Sequence, residues 1–446
     1  MSSIVDQWNA AYFDNRLSPW VVATLNGLND ASADAQALAD RAFRLMRVAR
    51  VGAADLSVLT AQTLATSMPK TVPSAWGGAV PPVTMAGRHR KLDEYIAANP
   101  WHRPTAQPIL LDLGCGFPPF TAVDSATELA GWRIIGVDPS FDRYLVYDDR
   151  GDYACFDDDE HLRFYQSGIR DPDPTATRAR FRRLLHHLLP LLPGDDNCEL
   201  AEVESHGARL VRNALRHYAT DNLVLARGGV GSFDIKGGVD VIRCMNVLMY
   251  FDQSFQERAL QWAGGLLRPG GLVVCGSNWA RSISSRYSVY QQRDGRLEPR
   301  EFAFSIDNVR PVALAPWYAL HDDNLENLCN AEAVGIIRSD ENFRRRFDDR
   351  LDALLAQSGV CHRGVDGCLG GADPNATPAD IEERGAALIE QLDREGFVDD
   401  AVTVLRHAGR NAWRNAVGHV AMHPIQPRPL PVSPVIPGRS SPFGAE

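Results

Sequence analysis

The sequence predicts an α/β protein built on a doubly wound, mostly parallel sheet, with helical additions at the N-terminal and C-terminal ends. Two segments carry this prediction. Residues 109–138 read as a buried strand, a glycine turn, a helix and a second buried strand that ends at Asp138. Residues 239–276 repeat the order strand, helix and strand, with a Pro-Gly-Gly turn before the last strand. Short continuous apolar runs of this kind are typical of parallel strands that helices cover on both faces.

Composition bounds the class of protein. A chain of 446 residues with 45% apolar residues predicts two or three compact units around one main core. The net charge of −10 argues against a nucleic-acid surface, so we expect no nucleic-acid partner. The sequence has no apolar run of membrane-spanning length and no leader pattern at its N-terminus. We therefore expect a soluble cytoplasmic protein with no membrane association and with reduced, scattered cysteines.

The first part of the chain, residues 1–104, is predicted to be helical. Residues 34–47 place apolar side chains three and four positions apart, and a basic helix is expected around residues 88–98. Such an extension either covers the mouth of a site in the core or packs on the edge of the sheet. The sequence leaves both alternatives open.

A glycine loop follows the first predicted strand. The apolar run 109–111 stops at Asp112 and Gly114, and a helix is expected from about residue 119 to residue 130. Gly114 and Gly116 supply positive φ angles and let the backbone approach a bound molecule without a Cβ atom in the way. Asp138, at the end of the second strand, stands where an acid can bind a ribose diol.

Two interpretations of this loop compete, a dinucleotide site and a site for S-adenosyl-L-methionine (SAM). Pro119 occupies the place of the third glycine of the dinucleotide fingerprint, which disfavours the first. The run Leu111-Asp112-Leu113-Gly114-Cys115-Gly116 resembles motif I of the class I SAM-dependent methyltransferases. The resemblance implies SAM as cofactor, a seven-stranded sheet, an acid at Asp112 near the ligand's ammonium group and Asp138 at its ribose. The alternative is an ordinary strand-to-helix turn without a ligand.

After Asp138 the next strand is delayed. Residues from about 145 to 218 are predicted to be a helical insertion, with helices at 175–189 and around 204–218. The acidic run 157–160 is expected to be a solvated loop without a metal ion, since consecutive carboxylates cannot all face one ion. A third strand begins at Leu223, and Ser232 and Phe233 follow it, where the resemblance implies contact with adenine.

The second predicted βαβ unit carries a narrower resemblance. Cys244-Met245-Asn246-Val247-Leu248-Met249-Tyr250-Phe251 is similar to strand four of the chemotaxis-receptor glutamate methyltransferases. That resemblance implies Asn246 against SAM and Tyr250 directed at the methyl acceptor. Met245 stands where that family has an arginine that helps hold the glutamate, which disfavours glutamyl methylation.

The segment after the fifth strand completes the expected acceptor site. Trp279 and Arg281 are predicted to form a wall and an anion contact, suited to a carboxylate or phenolate oxygen. Candidate catalytic residues are therefore Tyr250, Trp279 and Arg281. Candidate cofactor-binding residues follow the loop and the strand ends: Asp112, Gly114, Cys115, Gly116, Asp138, Ser232, Phe233 and Asn246.

The resulting functional hypothesis is a SAM-dependent methyltransferase that acts on an oxygen or nitrogen of a small molecule or peptide. A chemotaxis-like carboxyl methyltransferase and a catalytically silent SAM-binding interaction protein are the alternatives.

The rest of the chain completes the predicted organisation. The core is expected to span residues 105–310 and to include a hairpin with its turn at Asp294-Gly295. Residues 311–422 are predicted to form a C-terminal helical cap, and residues 423–446 a Pro-rich tail, disordered or extended along the surface. The loop with Cys361 and Cys368 lacks the ligand spacing of a metal site, so no metal is expected there.

Overall fold

The computed structural model describes residues 23–24, 32–57, 60–61, 64, 72, 81–98, 101, 105–141, 143–166, 173–193, 201–311, 317–365, 367, 369–370, 376–425 and 429–433. The helices are α1 (Ala33–Val48), α2 (Arg90–Ala98), α3 (Phe120–Glu128), α4 (Pro174–Leu188), α5 (Leu215–Tyr218), α6 (Gln253–Leu266), α7 (Leu325–Ser339), α8 (Glu341–Ser358), α9 (Pro378–Arg394) and α10 (Phe397–His407). Short 3₁₀ turns include Leu248–Tyr250 and Ala280–Ser282.

The strands, in chain order, are β1 (Ile109–Leu113), β2 (Arg133–Asp138), β3 (Tyr144–Tyr147), β4 (Tyr153–Phe156), β5 (Leu162–Tyr165), β6 (Ala201–Ser205), β7 (Ala208–Arg212), β8 (Leu223–Arg227), β9 (Val239–Met245), β10 (Leu267–Ser277), β11 (Arg286–Arg293), β12 (Arg296–Phe304), β13 (His362–Arg363), β14 (Leu369–Gly370), β15 (Ala412–Arg414), β16 (Val420–Met422) and β17 (Leu430–Pro431).

The main sheet confirms the predicted α/β class. Within the described residues it has ten strands, in the order β15-β16-β12-β11-β10-β9-β1-β2-β8, with β17 paired to β12. The strands β8, β2, β1, β9 and β10 are parallel, and antiparallel strands extend the sheet beyond β10. The sheet is thus larger than the seven strands expected, because β15, β16 and β17 from the C-terminal region add to its edge.

Helices cover both faces of the parallel strands. Leu110 and Ile134 share a core with α2 and α3, whereas their chain neighbours Leu111 and Ile135 share a core with α6 on the other face. Successive side chains of a strand point to opposite faces, so an unbroken apolar run is what a sheet covered on both sides requires. The predicted hairpin is also present, with φ of 47° at Asp294 and 74° at Gly295.

The inserted segment differs from its prediction. The strands β3 to β7 form a five-stranded antiparallel sheet in the order β5-β4-β3-β7-β6, and α4 packs on one face of it. The predicted helix α4 is confirmed, but the helix expected around residues 204–218 is wrong. That segment turns at His206 and Gly207, both with positive φ, and continues as β7. Leu210 and Val211 face two different cores, which is the period of a strand and not of a helix.

The C-terminal region is only partly the helical cap that was predicted. Helices α7 to α10 are present, but α10 ends at His407, and the strands β15 and β16 follow it. Leu430 of the Pro-rich segment pairs with Leu297, and residues 434–446 and Cys368 lie outside the described residues. In the part of the chain that the structure describes, no helix is long and apolar enough to cross a membrane.

Candidate functional site

The candidate site lies where the chain reverses the direction in which it adds strands. From β1 the chain adds β2 and β8 on one side, then crosses to add β9 and β10 on the other side. In an open parallel sheet, the carboxyl ends of the two strands at such a switch point border a crevice where ligands bind. Here those strands are β1 and β9, which end at Leu113 and Met245 and are followed by Gly114 and Asn246.

The glycine loop after β1 uses its own amides inside the protein. Gly114 and Gly116 have φ of 81° and 79°. The amides of Gly114 and Cys115 donate to the Val137 carbonyl at 2.7 and 3.3 Å, and the Phe117 amide donates to the Pro82 carbonyl at 2.7 Å. The Gly116 amide donates to Asp138 Oδ2 at 2.9 Å. With all four amides engaged, the loop does not suit a pyrophosphate, which a dinucleotide site binds through such amides.

Protein atoms occupy the space where a side chain would stand at both glycines. A Cβ atom at Gly114 would lie 2.3 Å from Val247 Cγ2. A Cβ atom at Gly116 would lie 2.7 Å from the Pro82 carbonyl oxygen and 2.8 Å from Thr84 Cγ2. Glycine is therefore required at both positions because Val247 and residues 82–84 approach the loop closely. The approach of a ligand, which the sequence analysis expected, is not the sole reason.

Asp138 ends β2 beside this loop and is 5% exposed. Its Oδ2 accepts from the Gly116 amide at 2.9 Å, and its Oδ1 accepts from the Ser140 amide at 2.8 Å. The position of Asp138 is consistent with the predicted ribose contact.

Asp112 takes a different place from the one expected. It is 1% exposed, and its carboxylate accepts two hydrogen bonds from Arg243 and one from the Thr121 hydroxyl at 2.7 Å. Asp93 of α2 binds the same guanidinium from the other side at 2.5 Å. Burial raises the pKa of Asp93 to about 6, and the charge of Arg243 acts against this rise. Asp112 thus belongs to a buried ion cluster beneath the loop and does not face the crevice.

The remaining predicted cofactor residues lie around the ends of β1, β2 and β8. Cys115 is buried, and burial raises the pKa of its thiol. The Ser232 hydroxyl oxygen accepts from the Gly229 amide at 2.9 Å in the loop after β8. Phe233 packs in the same core as Val137, next to Gly228, whose amide donates to the Asp138 carbonyl at 3.2 Å. The structure therefore brings Ser232 and Phe233 to the side of the crevice where Asp138 lies.

Asn246 and Asn278 join the ends of β9 and β10. The Asn246 side chain donates to Asn278 Oδ1 at 2.9 Å and accepts from the Asn278 amide at 3.1 Å, and Asn246 has a φ of 57°. Asn278 Nδ2 in turn donates to the Arg88 carbonyl at 2.7 Å, and Arg88 Nη2 donates to the Asn278 carbonyl at 3.2 Å. We name residues 82–89 the strap, because these bonds and the Pro82 contact fasten it across the strand ends.

The strap supplies functional candidates that the sequence did not indicate. Arg88 is half-buried and its Nε atom is out of contact with solvent. His89 is 3% exposed, and burial lowers its pKa well below the usual value, with Arg243 and Arg88 acting in the same direction. Arg88 and Asn278 are 190 positions apart, so no local pattern reveals their contact. The only sequence signal was the basic helix expected from residue 88.

Tyr250 lies at this edge, in the 3₁₀ turn after β9, and is 9% exposed. Its ring meets that of Tyr318 edge to face at 5.8 Å between centroids. Burial raises the pKa of Tyr250 to about 12, and the positive charge of Arg88 opposes the rise. The phenol is therefore protonated at neutral pH and can donate a hydrogen bond.

Trp279 and Arg281 lie farther along, beside α9. Burial raises the pKa of Glu382 on α9, while the charge of Arg281 acts against the rise. Arg281 is exposed and has a φ of 48°. Among the described cations, Arg88 is the one whose charge acts on Tyr250. The anion contact expected at Arg281 stays a prediction, and in this structure the charge of Arg281 acts on Glu382.

Comparison with known proteins gives low similarity. Neither a protein-family model nor a curated protein matches the sequence. PKMT2 from Rickettsia typhi in complex with AdoHcy is 14% identical with a TM-score of 0.23, covering 44% of this chain and 26% of that one. An O-methyltransferase family 2 protein from Planctomyces limnophilus in complex with apigenin is 10% identical with a TM-score of 0.23, covering 74% of this chain and 56% of that one.

A third structure is the SAM-bound amino pentose methyltransferase CalS10 from Micromonospora echinaspora. It is 16% identical with a TM-score of 0.21, and the match covers 50% of this chain and 64% of that one. The matched part covers between 26% and 64% of the length of each of these three proteins. Similarity of this size does not assign the chain to a family.

Proposed function

We propose that this protein is a SAM-dependent methyltransferase that transfers a methyl group to an oxygen or nitrogen of a small molecule or peptide. The observation that carries the proposal is the loop with positive φ at Gly114 and Gly116, which lies at the switch point of the parallel sheet beside Asp138. Because the loop amides all donate inside the protein, the Asp138 carboxylate is the acceptor beside this loop that we propose for ligand binding. Acceptors suit a ligand that brings donors and positive charge, as SAM does with its ribose diol, ammonium and sulfonium.

Each part of the proposed cofactor has its own contact residues in this chain. Asp138 binds the ribose hydroxyls, and the backbone of Gly114, Cys115 and Gly116 lies along the ligand. Ser232 and Phe233, at the end of β8, border the adenine. Asn246, fixed by its two hydrogen bonds to Asn278, lies toward the methionine part.

When bound, SAM supplies an electrophilic methyl group on a sulfonium. The protein's contribution is to align the acceptor with that methyl group and to exclude water. We propose that Tyr250 orients the acceptor through its protonated hydroxyl and that Trp279 closes the side of the site. Met245 is 3% exposed and contributes to the core, so nothing at its position offers the acceptor contact of a chemotaxis-like glutamate methyltransferase.

One observation favours a second candidate, a SAM-binding interaction protein without catalysis. Val247 and residues 82–84 fill the space next to both glycines. A crevice kept filled by the chain's own atoms would leave no room for a methyl acceptor. The two candidates predict the same cofactor and differ in turnover.

Titration calorimetry with S-adenosylhomocysteine tests the cofactor, with NAD as the competing ligand. We expect saturable binding of S-adenosylhomocysteine and none of NAD, and the reverse result would overturn the proposal. Incubation with methyl-labelled SAM and a mixture of carboxylates, phenols, amines and peptides then separates the candidates. Label transfer to any acceptor supports the methyltransferase, whereas binding without transfer to any of them supports the interaction protein.

A further inference from the structure

His89 ends the strap with a buried ring whose nitrogens are not used inside the protein. The residue is 3% exposed, and neither Nδ1 nor Nε2 has a hydrogen-bond partner among the residues that the structure describes. An imidazole always carries at least one N–H donor, and a buried donor without a partner costs free energy. Native proteins keep few such groups, so this ring calls for a functional explanation.

The polar side chain beside the ring is committed to other partners. Asn278 lies next to His89. However, Nδ2 of Asn278 donates to the Arg88 carbonyl at 2.7 Å, and its Oδ1 accepts from Asn246 at 2.9 Å. Within the described residues, the ring nitrogens of His89 therefore remain available to a ligand.

The backbone around His89 fixes the ring at the carboxyl edge of the sheet. The carbonyl of Arg88, in the peptide bond that joins it to His89, accepts from Asn278, which follows β10. The His89 carbonyl accepts from the amides of Leu92 and Asp93 at 2.8 and 3.0 Å, and α2 begins there. His89 thus lies on the side of the crevice that β9 and β10 border.

His89 also stands at the N-terminus of a helix that begins at this edge. The nine residues of α2 start directly after the strap and end before β1, which begins at the opposite edge of the sheet. The first amides of a helix have no partner inside it, and the aligned peptide dipoles place a partial positive charge there. Such an end favours an anion. The helix N-terminus and the unpartnered ring therefore indicate the same kind of ligand group.

The order of the strands shows which part of the proposed cofactor reaches His89. Along the carboxyl edge the parallel strands follow one another as β8, β2, β1, β9 and β10. The proposed adenine contacts Ser232 and Phe233 follow β8, and the proposed ribose contact Asp138 ends β2. A cofactor placed in this way extends over β1 and points its methionine end toward β9 and β10. That end carries an ammonium and a carboxylate, of which the carboxylate is the anion.

We infer that His89 binds the carboxylate at the methionine end of the cofactor, together with the N-terminus of α2. This inference rests on the proposed function. The ring is neutral at neutral pH, because burial lowers its pKa well below the usual value and Arg243 and Arg88 act in the same direction. A neutral imidazole carries one N–H, on either nitrogen, and this N–H donates to a carboxylate oxygen. The amides of the glycine loop are engaged inside the protein and do not compete for that oxygen.

The test compares ligands that differ at the methionine end alone. S-adenosylhomocysteine, its decarboxylated analogue and its deaminated analogue are titrated by calorimetry into the wild-type chain, His89→Leu and His89→Gln. We expect the wild type to bind S-adenosylhomocysteine about tenfold or more tightly than the decarboxylated analogue, as the loss of a charged hydrogen bond implies. His89→Leu should bind these two ligands alike and bind the decarboxylated analogue as the wild type does. His89→Gln keeps an N–H donor and should keep part of the preference.

His419→Leu is the matched control. His419 is also buried, at 5% exposed, but its Nδ1 pairs with the Tyr287 hydroxyl at 3.2 Å in the core. This variant should retain the full preference for the carboxylate and should melt at a lower temperature than the wild type. The His89→Leu variant without ligand should lose less stability than His419→Leu, because it breaks no hydrogen bond within the described residues.

Four results overturn the inference. They are equal binding of S-adenosylhomocysteine and the decarboxylated analogue to the wild type, the full preference in both His89 variants, loss of the preference in His419→Leu, and a loss of stability in His89→Leu as large as in His419→Leu. If the wild type instead discriminates against the deaminated analogue alone, the ring accepts from the ammonium, and the inference is also wrong. Absence of S-adenosylhomocysteine binding to the wild type overturns the proposed function, so the two failures are distinguishable.

Discussion

Arg243 donates two hydrogen bonds to Asp112, from Nε to Oδ1 at 3.0 Å and from Nη2 to Oδ2 at 2.8 Å, between neighbouring strands of the parallel sheet. Both side chains are almost fully buried. A two-pronged pair of this kind fixes the relative position of β1 and β9 at the point from which the glycine loop begins. In this structure the acid of the glycine motif therefore holds the start of the loop in place.

Asp112→Asn is expected to lower the free energy of unfolding by about 3 kcal/mol, because it leaves the buried Arg243 with Asp93 as its remaining acid. Chemical denaturation measures this change. Affinity for S-adenosylhomocysteine should remain within about threefold of wild type if the variant is folded, since Asp112 does not face the crevice. A large loss of affinity with unchanged stability would instead support a contact between Asp112 and the ligand, as the sequence analysis expected.

Asp322→Asn is the matched control for that measurement. Asp322 pairs with Arg41 at 2.9 Å, but its side chain is 67% exposed. Exposed ion pairs contribute about 0–1 kcal/mol, so this variant should unfold almost as the wild type does.

Asp93 predicts an unusual pH dependence. Burial raises its pKa to about 6 in the folded protein, whereas an unfolded aspartate has a pKa near 3.8. Between these values the folded protein binds more protons than the unfolded chain, so the contribution of Asp93 to stability is present at low pH and is lost as the pH rises through about 6. Unfolding measured from pH 4 to 7 should show the wild type losing stability relative to Asp93→Asn. A constant difference across that range would contradict the prediction.

Asp138→Ala is expected to weaken S-adenosylhomocysteine binding about tenfold or more, because charged hydrogen bonds to a ribose contribute about 1.5–3 kcal/mol. Calorimetry gives the affinity, and a melting curve checks that the loop held by the Gly116 amide stays folded. Asp240→Asn is the control: it is a buried acid of the same sheet that binds Arg268 at 2.6 Å at the opposite end of β9. Equal affinity losses in both variants would point to a general defect.

The fold was predictable where the signal is local. The strand, glycine turn, helix and strand of residues 109–138 have the apolar runs and turn residues that define each element, and the structure forms them within about two residues of the expected ends. The inserted sheet was not predicted, because strands of four or five residues carry a weak pattern.

The site was predictable only in part for a related reason. The position of Asp138 follows from its own strand, but the partner of Asp112 is 131 residues away, and the partner of Asn278 is 190 residues away. Side chains that meet across such separations are brought together by the order of the strands in the sheet. A single sequence does not reveal that order. The sequence analysis therefore did not identify Arg88 and His89 as candidate site residues. It identified Arg281 instead, because Arg281 follows the fifth predicted strand.

The acidic loop of the insertion provides a test for metal. Ligand atoms of Asp157, Asp159 and His161 lie within 4.8 Å of one another. Asp157 Oδ1 already accepts from the amides of Asp159 at 3.1 Å and His161 at 2.9 Å, which is the geometry of a side chain that stabilises its own turn. We expect chelator treatment to change neither S-adenosylhomocysteine binding nor label transfer. Activity lost with chelator and restored by one divalent ion would contradict this expectation, and Asp159→Asn would then locate the ion.

Tyr250→Phe is expected to lower kcat by roughly ten- to a thousandfold, while the affinity for S-adenosylhomocysteine stays nearly intact, because orientation of the acceptor acts on the transition state more than on cofactor binding. Labelled SAM with the best acceptor found measures the turnover. Since the pKa of Tyr250 is raised to about 12, its hydroxyl stays protonated, and the wild-type rate should show no ionisation of this group below about pH 10.

Tyr287→Phe is the matched control for Tyr250. Tyr287 is a fully buried tyrosine of β11 whose hydroxyl accepts from Asn415 at 2.9 Å, within the core on the face where α2 and α3 pack. Its loss should reduce stability without a selective effect on kcat. If Tyr250→Phe and Tyr287→Phe both turn over as the wild type does, then Tyr250 is a core aromatic at the end of a strand and does not orient the acceptor.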